Sequence, residues 1–199
     1  MNDYPKYAEV NGRRYNINTD FRVAIECNRI AEDDSIGELE RSAGIICTLF
    51  GEKAVDNIDD WNDLLKIALK YLSCGQETKS NSNEKPDMDY IQDAGYIASS
   101  FQYDYQYNPY EEKNVHWWKF FNDLNNLSNS EFGNCCILNR VRNLRNMDLK
   151  DIKDVKEREK IIKAKKQVAL KKDKKEISKE QREKAMKFYE QLGVLERSD

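Results

Sequence analysis

The stretch 7-YAEVNGRRYNINTDFRVAIECNRIAEDD-34 changes structural period part-way along, and that change decides the fold class. Up to Ile17 two short alternating runs flank Asn11-Gly12, the sequence of a two-residue type I′ hairpin turn. Gly12 supplies a positive φ at no steric cost. After Thr19 the apolar residues recur at helical spacing, with Phe21, Ile25 and Ile30 lining one side and Val23 and Cys27 flanking. Thr19 or Asp20 can cap the helix that begins there. A β-hairpin therefore runs straight into a helix, and no clear β signal follows it.

The rest of the chain reads as helices. Residues 36–50 carry Ile36, Leu39, Ala43, Ile45, Ile46 and Leu49 before Gly51. Residues 58–73 carry Ile58, Trp61, Leu64, Leu65, Ala68, Leu69 and Leu72, with Asp59 and Asp60 in the first turn, where negative charge suits the helix macrodipole. The polar segment 75–87 reads as a surface loop. A helix from Asp87 or Asp89 passes through Tyr90, Ile91, Ala94, Ile97, Ala98 and Phe101, and Asn108-Pro109 closes it. The next begins at His116 and ends near 126–128, and one more spans about 129–146 with Phe132, Cys136, Val141 and Leu144. The fold class is mainly α: a helical domain over 1–148 opened by a β-hairpin, then a long charged helical extension over 149–199.

Composition narrows the function. Apolar residues make up 39% of the 199 and charged residues 35%, a modest core with polar additions. The net charge of −3 is unevenly spread. Residues 149–199 hold 17 Lys/Arg against 11 Asp/Glu, whereas residues 1–148 hold 16 against 25. An acidic body with a basic extension argues against a uniform nucleic-acid-binding surface. The opening MNDYPKYAEV lacks the apolar core of a signal peptide, and no apolar run approaches a membrane span. A cytoplasmic location and five reduced thiols (Cys27, Cys47, Cys74, Cys135 and Cys136) are the expectation.

The segment 114-NVHWWKFFNDL-124 concentrates the residues that invite a functional reading. His116, the single histidine, has no companion that would make it a nucleophile's base or a metal ligand, so it reads as a structural residue at a helix start. Trp117, Phe121 and Leu124, at i, i+4 and i+7, form an apolar face with Phe120 alongside. Trp118 points about 100° away from Trp117, at 3.6 residues per turn, and is assigned to the edge as a partner-binding residue. The tyrosines of 96-YIASSFQYDYQYNPY-110 have no basic residue between Lys85 and Lys113 to hold a phosphate backbone, and they read as a helix end with solvated rings. No phosphate loop, nucleophile elbow, paired-carboxylate motif or Cys-x-x-Cys spacing occurs, so no enzyme activity, cofactor or metal is expected. In the extension, Ile152, Val155, Ile161, Ile162, Val168 and Leu170 form a stripe too thin for a buried helix, and Ile161, Ile162, Val168 and Leu170 join Trp118 as candidate partner-binding residues.

Six stretches in order, "EVNGRRYNINTDFRV" (9–23), "LKIALKYLSCG" (65–75), "QDAGYIASSF" (92–101), "HWWKFFNDL" (116–124), "RNLRNMDL" (142–149) and "KEREKIIKAKKQVAL" (156–170), resemble the gene-product-fifteen family of phages and prophages of Gram-positive bacteria. The resemblance implies a tail-assembly chaperone-like role in the host cytoplasm, without catalysis. Its partner would be the tape-measure protein or another tail component, with self-association compatible and no membrane involved. The alternatives are a nucleic-acid-binding regulator working through the basic extension, for which binding is unlikely on charge grounds, and a structural component of the finished tail.

Overall fold

The computed structural model describes residues 4–76, 86–129 and 135–171. They form a mainly helical structure opened by one two-stranded sheet. The expectations for 77–85, Phe132 and 172–199 lie outside the described residues. Two compact units divide within the polar segment after residue 76.

In the first unit, strands β1 (Tyr7–Val10) and β2 (Arg13–Asn16) pair antiparallel, with Val10 opposite Arg13. Asn11 and Gly12 between them have φ of 49° and 76°, the two positive values that a type I′ turn requires. Ala8, Val10 and Tyr15 are buried. The chain then passes to helix α1 (Phe21–Ala31), where Asp20 is the N-cap and its carboxylate accepts from the Arg22 N–H at 2.9 Å. Phe21, Ala24, Cys27 and Ile30 are buried along α1. Ile25 is only half-buried, so the centre of the face falls one residue away from the predicted line.

Helix α2 (Glu38–Phe50) packs across α1, and Gly44 makes the crossing close: a Cβ there would stand 3.1 Å from Ile30 Cγ2. A short helix the sequence reading missed, α3 (Glu52–Val55), buries Ala54 and Val55. A 3-10 turn (Ile58–Asp60) leads to α4 (Trp61–Leu72), whose Leu64, Ala68 and Leu72 are buried. Predicted core members Ile58 and Leu69 are exposed. Each fully buried aliphatic side chain, such as Ile46, Leu49 or Leu64, contributes about 1.5–3 kcal/mol of transfer free energy.

Asp60 departs furthest from its reading. Beyond placing negative charge at the helix start, its carboxylate is buried, accepting from Tyr15 Oη at 2.5 Å, Asn11 Nδ2 at 2.7 Å and Arg13 Nη1 at 3.0 Å. Three side chains from the hairpin thus converge on the turn that opens α4. These hydrogen bonds, with Tyr15 contributing most, hold the Asp60 carboxyl below its ordinary value, because each favours the charged form.

The second unit comprises α5 (Ala94–Tyr105), α6 (Trp117–Asn125), α7 (Ile137–Asn146), a 3-10 turn (Leu149–Asp151) and α8 (Val155–Val168). Helix α5 begins later than predicted. Asp89 folds the preceding residues into a turn, its carboxylate accepting from the N–H groups of Ile91 and Gln92 at 2.9 and 2.8 Å, a local competitor of helix. Helix α7 also starts later, at Ile137, and the Cys136 N–H just before it is tied to the Ser128 carbonyl at 3.0 Å. The core includes Ile97, Phe101, Trp117, Phe120, Leu124, Leu138 and Val141. Buried Ser100 completes it, with Oγ donating to the Tyr96 carbonyl at 2.7 Å and accepting from the Leu138 N–H at 3.1 Å.

Candidate functional site

His116 is the N-cap of α6. Its Nδ1 accepts from the Trp118 N–H at 3.1 Å, satisfying one of the donors that a helix start leaves open. Its structural reading thereby acquires a definite form. Trp117 lies in the core, stacked on Phe120 at 6.0 Å between centroids and edge-on to Tyr90 at 6.0 Å. Phe120 in turn stacks on Phe101 at 5.3 Å. The buried face of α6 is therefore Trp117, Phe120 and Leu124, at i, i+3 and i+7. Phe121, assigned to the centre of that face from its i+4 spacing, is half-buried at the flank. Trp118 is half-buried too.

Four of the five tyrosines, Tyr96, Tyr105, Tyr107 and Tyr110, are half-buried rather than solvated as predicted. Tyr105 Oη donates to the Asp123 carbonyl at 2.8 Å and Tyr107 Oη to the Asp123 carboxylate at 2.6 Å. Both rings pack on Phe101 at 5.6 Å. Burial first, then the hydrogen bond to Asp123, pushes the Tyr107 phenol far up from its ordinary value. Lys119 reaches the same carboxylate and lies over the Tyr107 ring. Tyr110 is half-buried, and its Oη donates to the Tyr90 carbonyl at 3.3 Å. Of this group Tyr103 is the well-exposed ring. Aromatic surface that a single strand could stack on is thus largely turned into the fold.

The polar centre of this unit is Arg145, at the end of α7. Its guanidinium makes a two-pronged pair with buried Asp93, at 2.7 and 2.8 Å, and also donates to the carbonyls of Val168 at 2.6 Å and Asp87 at 2.8 Å. One side chain therefore joins the start of α5, the end of α7 and the last carbonyl of α8. A cation there complements the negative end of the α8 dipole. Gln92 adds a second latch: its side-chain amide exchanges two hydrogen bonds with the Lys171 backbone, at 3.0 and 2.8 Å. The sequence reading missed Arg145. Its signal was present: the acids at 87, 89 and 93 have no basic neighbour over 86–112, so a buried one needs a distant cation.

Helix α8 itself buries no residue. Ile161, Ile162, Val168 and Leu170 are half-buried. Ile162 and Leu170 line an open groove of about 440 Å³ together with Leu149, Ala169, Lys165 and Lys166. Ile161, Val168 and Trp118 are not among the residues lining it. Among the described residues no group of three or more His, Cys, Asp or Glu is placed to hold a metal ion, and no helix is long and apolar enough to cross a membrane.

The model of the bacteriophage Gp15 protein family matches residues 1–170. The chain belongs to this family. No curated protein and no solved structure matches it. Within this Gp15 protein the matched region takes in the hairpin, both units and α8, and stops at Leu170, beside the Gln92 latch. Two of the six stretches that carried the resemblance fall on features the structure makes prominent: "HWWKFFNDL" holds the cap and core face of α6, and "RNLRNMDL" holds Arg145.

Proposed function

We propose that this Gp15 protein is a tail-assembly chaperone, binding the tape-measure protein or another tail component in the host cytoplasm without catalysing a reaction. Family membership over residues 1–170 carries the reading. A physical argument supports it. A long helical client with apolar faces would aggregate before a tail tube encloses it, and a helical body with a half-exposed stripe on α8 can cover such faces by helix-in-groove packing. Contacts of that kind are weak singly and gain from repetition along a long client.

Co-expression with the tape-measure protein tests the proposal. The client should become more soluble and a complex should be recovered; an insoluble client with no complex would overturn it. A second reading, nucleic-acid binding through the basic extension, is favoured by one observation: residues 160–171 carry five lysines and no acid. It predicts sub-micromolar, salt-dependent binding in a gel shift at about 150 mM salt. A structural role in the tail would instead retain the protein in purified virions.

A further inference from the structure

We infer that the groove between α7 and α8 receives an acidic amphipathic helix from a partner protein, its apolar stripe against Leu149, Ile162 and Leu170 and its carboxylates beside Lys165 and Lys166. The inference rests on the chaperone reading and specifies the chemistry of its client. The groove surface is mostly apolar, and the charged residues lining it are Arg145, Lys165, Lys166 and Asp87. Arg145 is already neutralised by Asp93, and Asp87 by Arg142 at 3.2 Å. Lys165 donates to the uncharged carbonyl of Met147, so its charge has no counter-ion there. Among the described residues, neither Lys165 nor Lys166 pairs with a carboxylate.

The neighbouring elements deepen the positive field. Helix α7 contains Arg140, Arg142 and Arg145 and no acid, and α8 contains six basic residues against Glu157 and Glu159 near its start. A basic partner would be repelled, and a neutral one would leave the lysines uncompensated. Length also fits a helix. On the α8 side the groove is lined from Ile162 to Leu170, about 12 Å at 1.5 Å per residue, which two to three turns of a partner helix would cover. Nucleic acid is the less suitable occupant, because its charged backbone would face a mostly apolar surface.

Two synthetic amphipathic peptides of about 14 residues, with one leucine stripe and either glutamate or lysine flanks, test this by fluorescence polarisation against the full chain. The acidic peptide should bind at least about tenfold more tightly, with the difference shrinking as salt rises. Lys166→Glu, at an exposed position, should weaken the acidic peptide about tenfold and strengthen the basic one, with circular dichroism unchanged. Ile162→Ser should weaken the acidic peptide. Equal affinity for both peptides, no binding of either, or a DNA duplex bound more tightly than the acidic peptide would overturn the inference. Full solubilisation of the tape-measure protein by Lys166→Glu and Ile162→Ser would also remove the groove from the mechanism while leaving the chaperone reading standing.

Discussion

His116 is a residue whose chemistry is consumed by its position. Capping at this site is tested by substitution: His116→Ala should cost about 1 kcal/mol, whereas His116→Asn, which can still accept from the α6 N–H groups, should cost less. Urea midpoints at constant slope measure the difference. Two adjacent phenylalanines give a sharper contrast. Phe120 is fully buried between Trp117 and Phe101, so Phe120→Ala should cost about 3–5 kcal/mol. Phe121→Ala, at the flank, should cost distinctly less. Cys27 is buried among apolar side chains, which pushes its thiol up to about 12, with the charge of Glu26 adding to the effect. Since the thiolate is the reactive form, iodoacetamide at pH 8 should spare Cys27 in the native protein and reach half-buried Cys135 first.

At the scale of elements, α8 is held chiefly by polar latches. Arg145→Ala would leave Asp93 buried and uncompensated, which costs about 3–5 kcal/mol for a broken buried pair. Arg145→Lys should recover only part of this, because an ammonium cannot reproduce the two-pronged geometry or reach the Val168 carbonyl at once. Equilibrium unfolding with amide exchange along 155–168 measures both. The same element shows where the sequence was informative. Periodicity located α1, α2, α4 and α6, because each buries a regular stripe, and Asn11-Gly12 located the hairpin, because the turn demands those residues. The start of α5 was obscured by the Asp89 side chain, which bonds the backbone locally, and that of α7 by the backbone bond from Cys136 to Ser128. The partners of Asp60 and Arg145 lie dozens of positions away, and no local pattern encodes such a pairing. On α8 the thin stripe was legible, but the groove beneath it needs Leu149 from another segment.

For the molecule as a whole, the charge on Asp60 links folding to pH. Its carboxyl titrates lower in the folded chain than in the unfolded one. The stability it contributes is therefore present above its unfolded value of about 4 and is lost as pH falls through the folded value. Asp60→Asn should lower stability at neutral pH and flatten the acid limb of the stability profile between about pH 5 and 2. Thermal melts across that range would show parallel acid limbs for both proteins if Asp60 were not coupled to folding.

The carboxylate that receives Tyr15 lies 45 positions downstream, and the one that receives Asn11 lies 49 downstream. Two strands alone are marginal in water, so the hairpin gains its anchor only when the turn before α4 has arrived. During synthesis the first strands emerge early and consolidate late. Tyr15→Phe should then speed unfolding more than it slows refolding, as expected for contacts formed after the transition state. A refolding rate that fell in full proportion to the lost stability would instead place the hairpin in the folding nucleus.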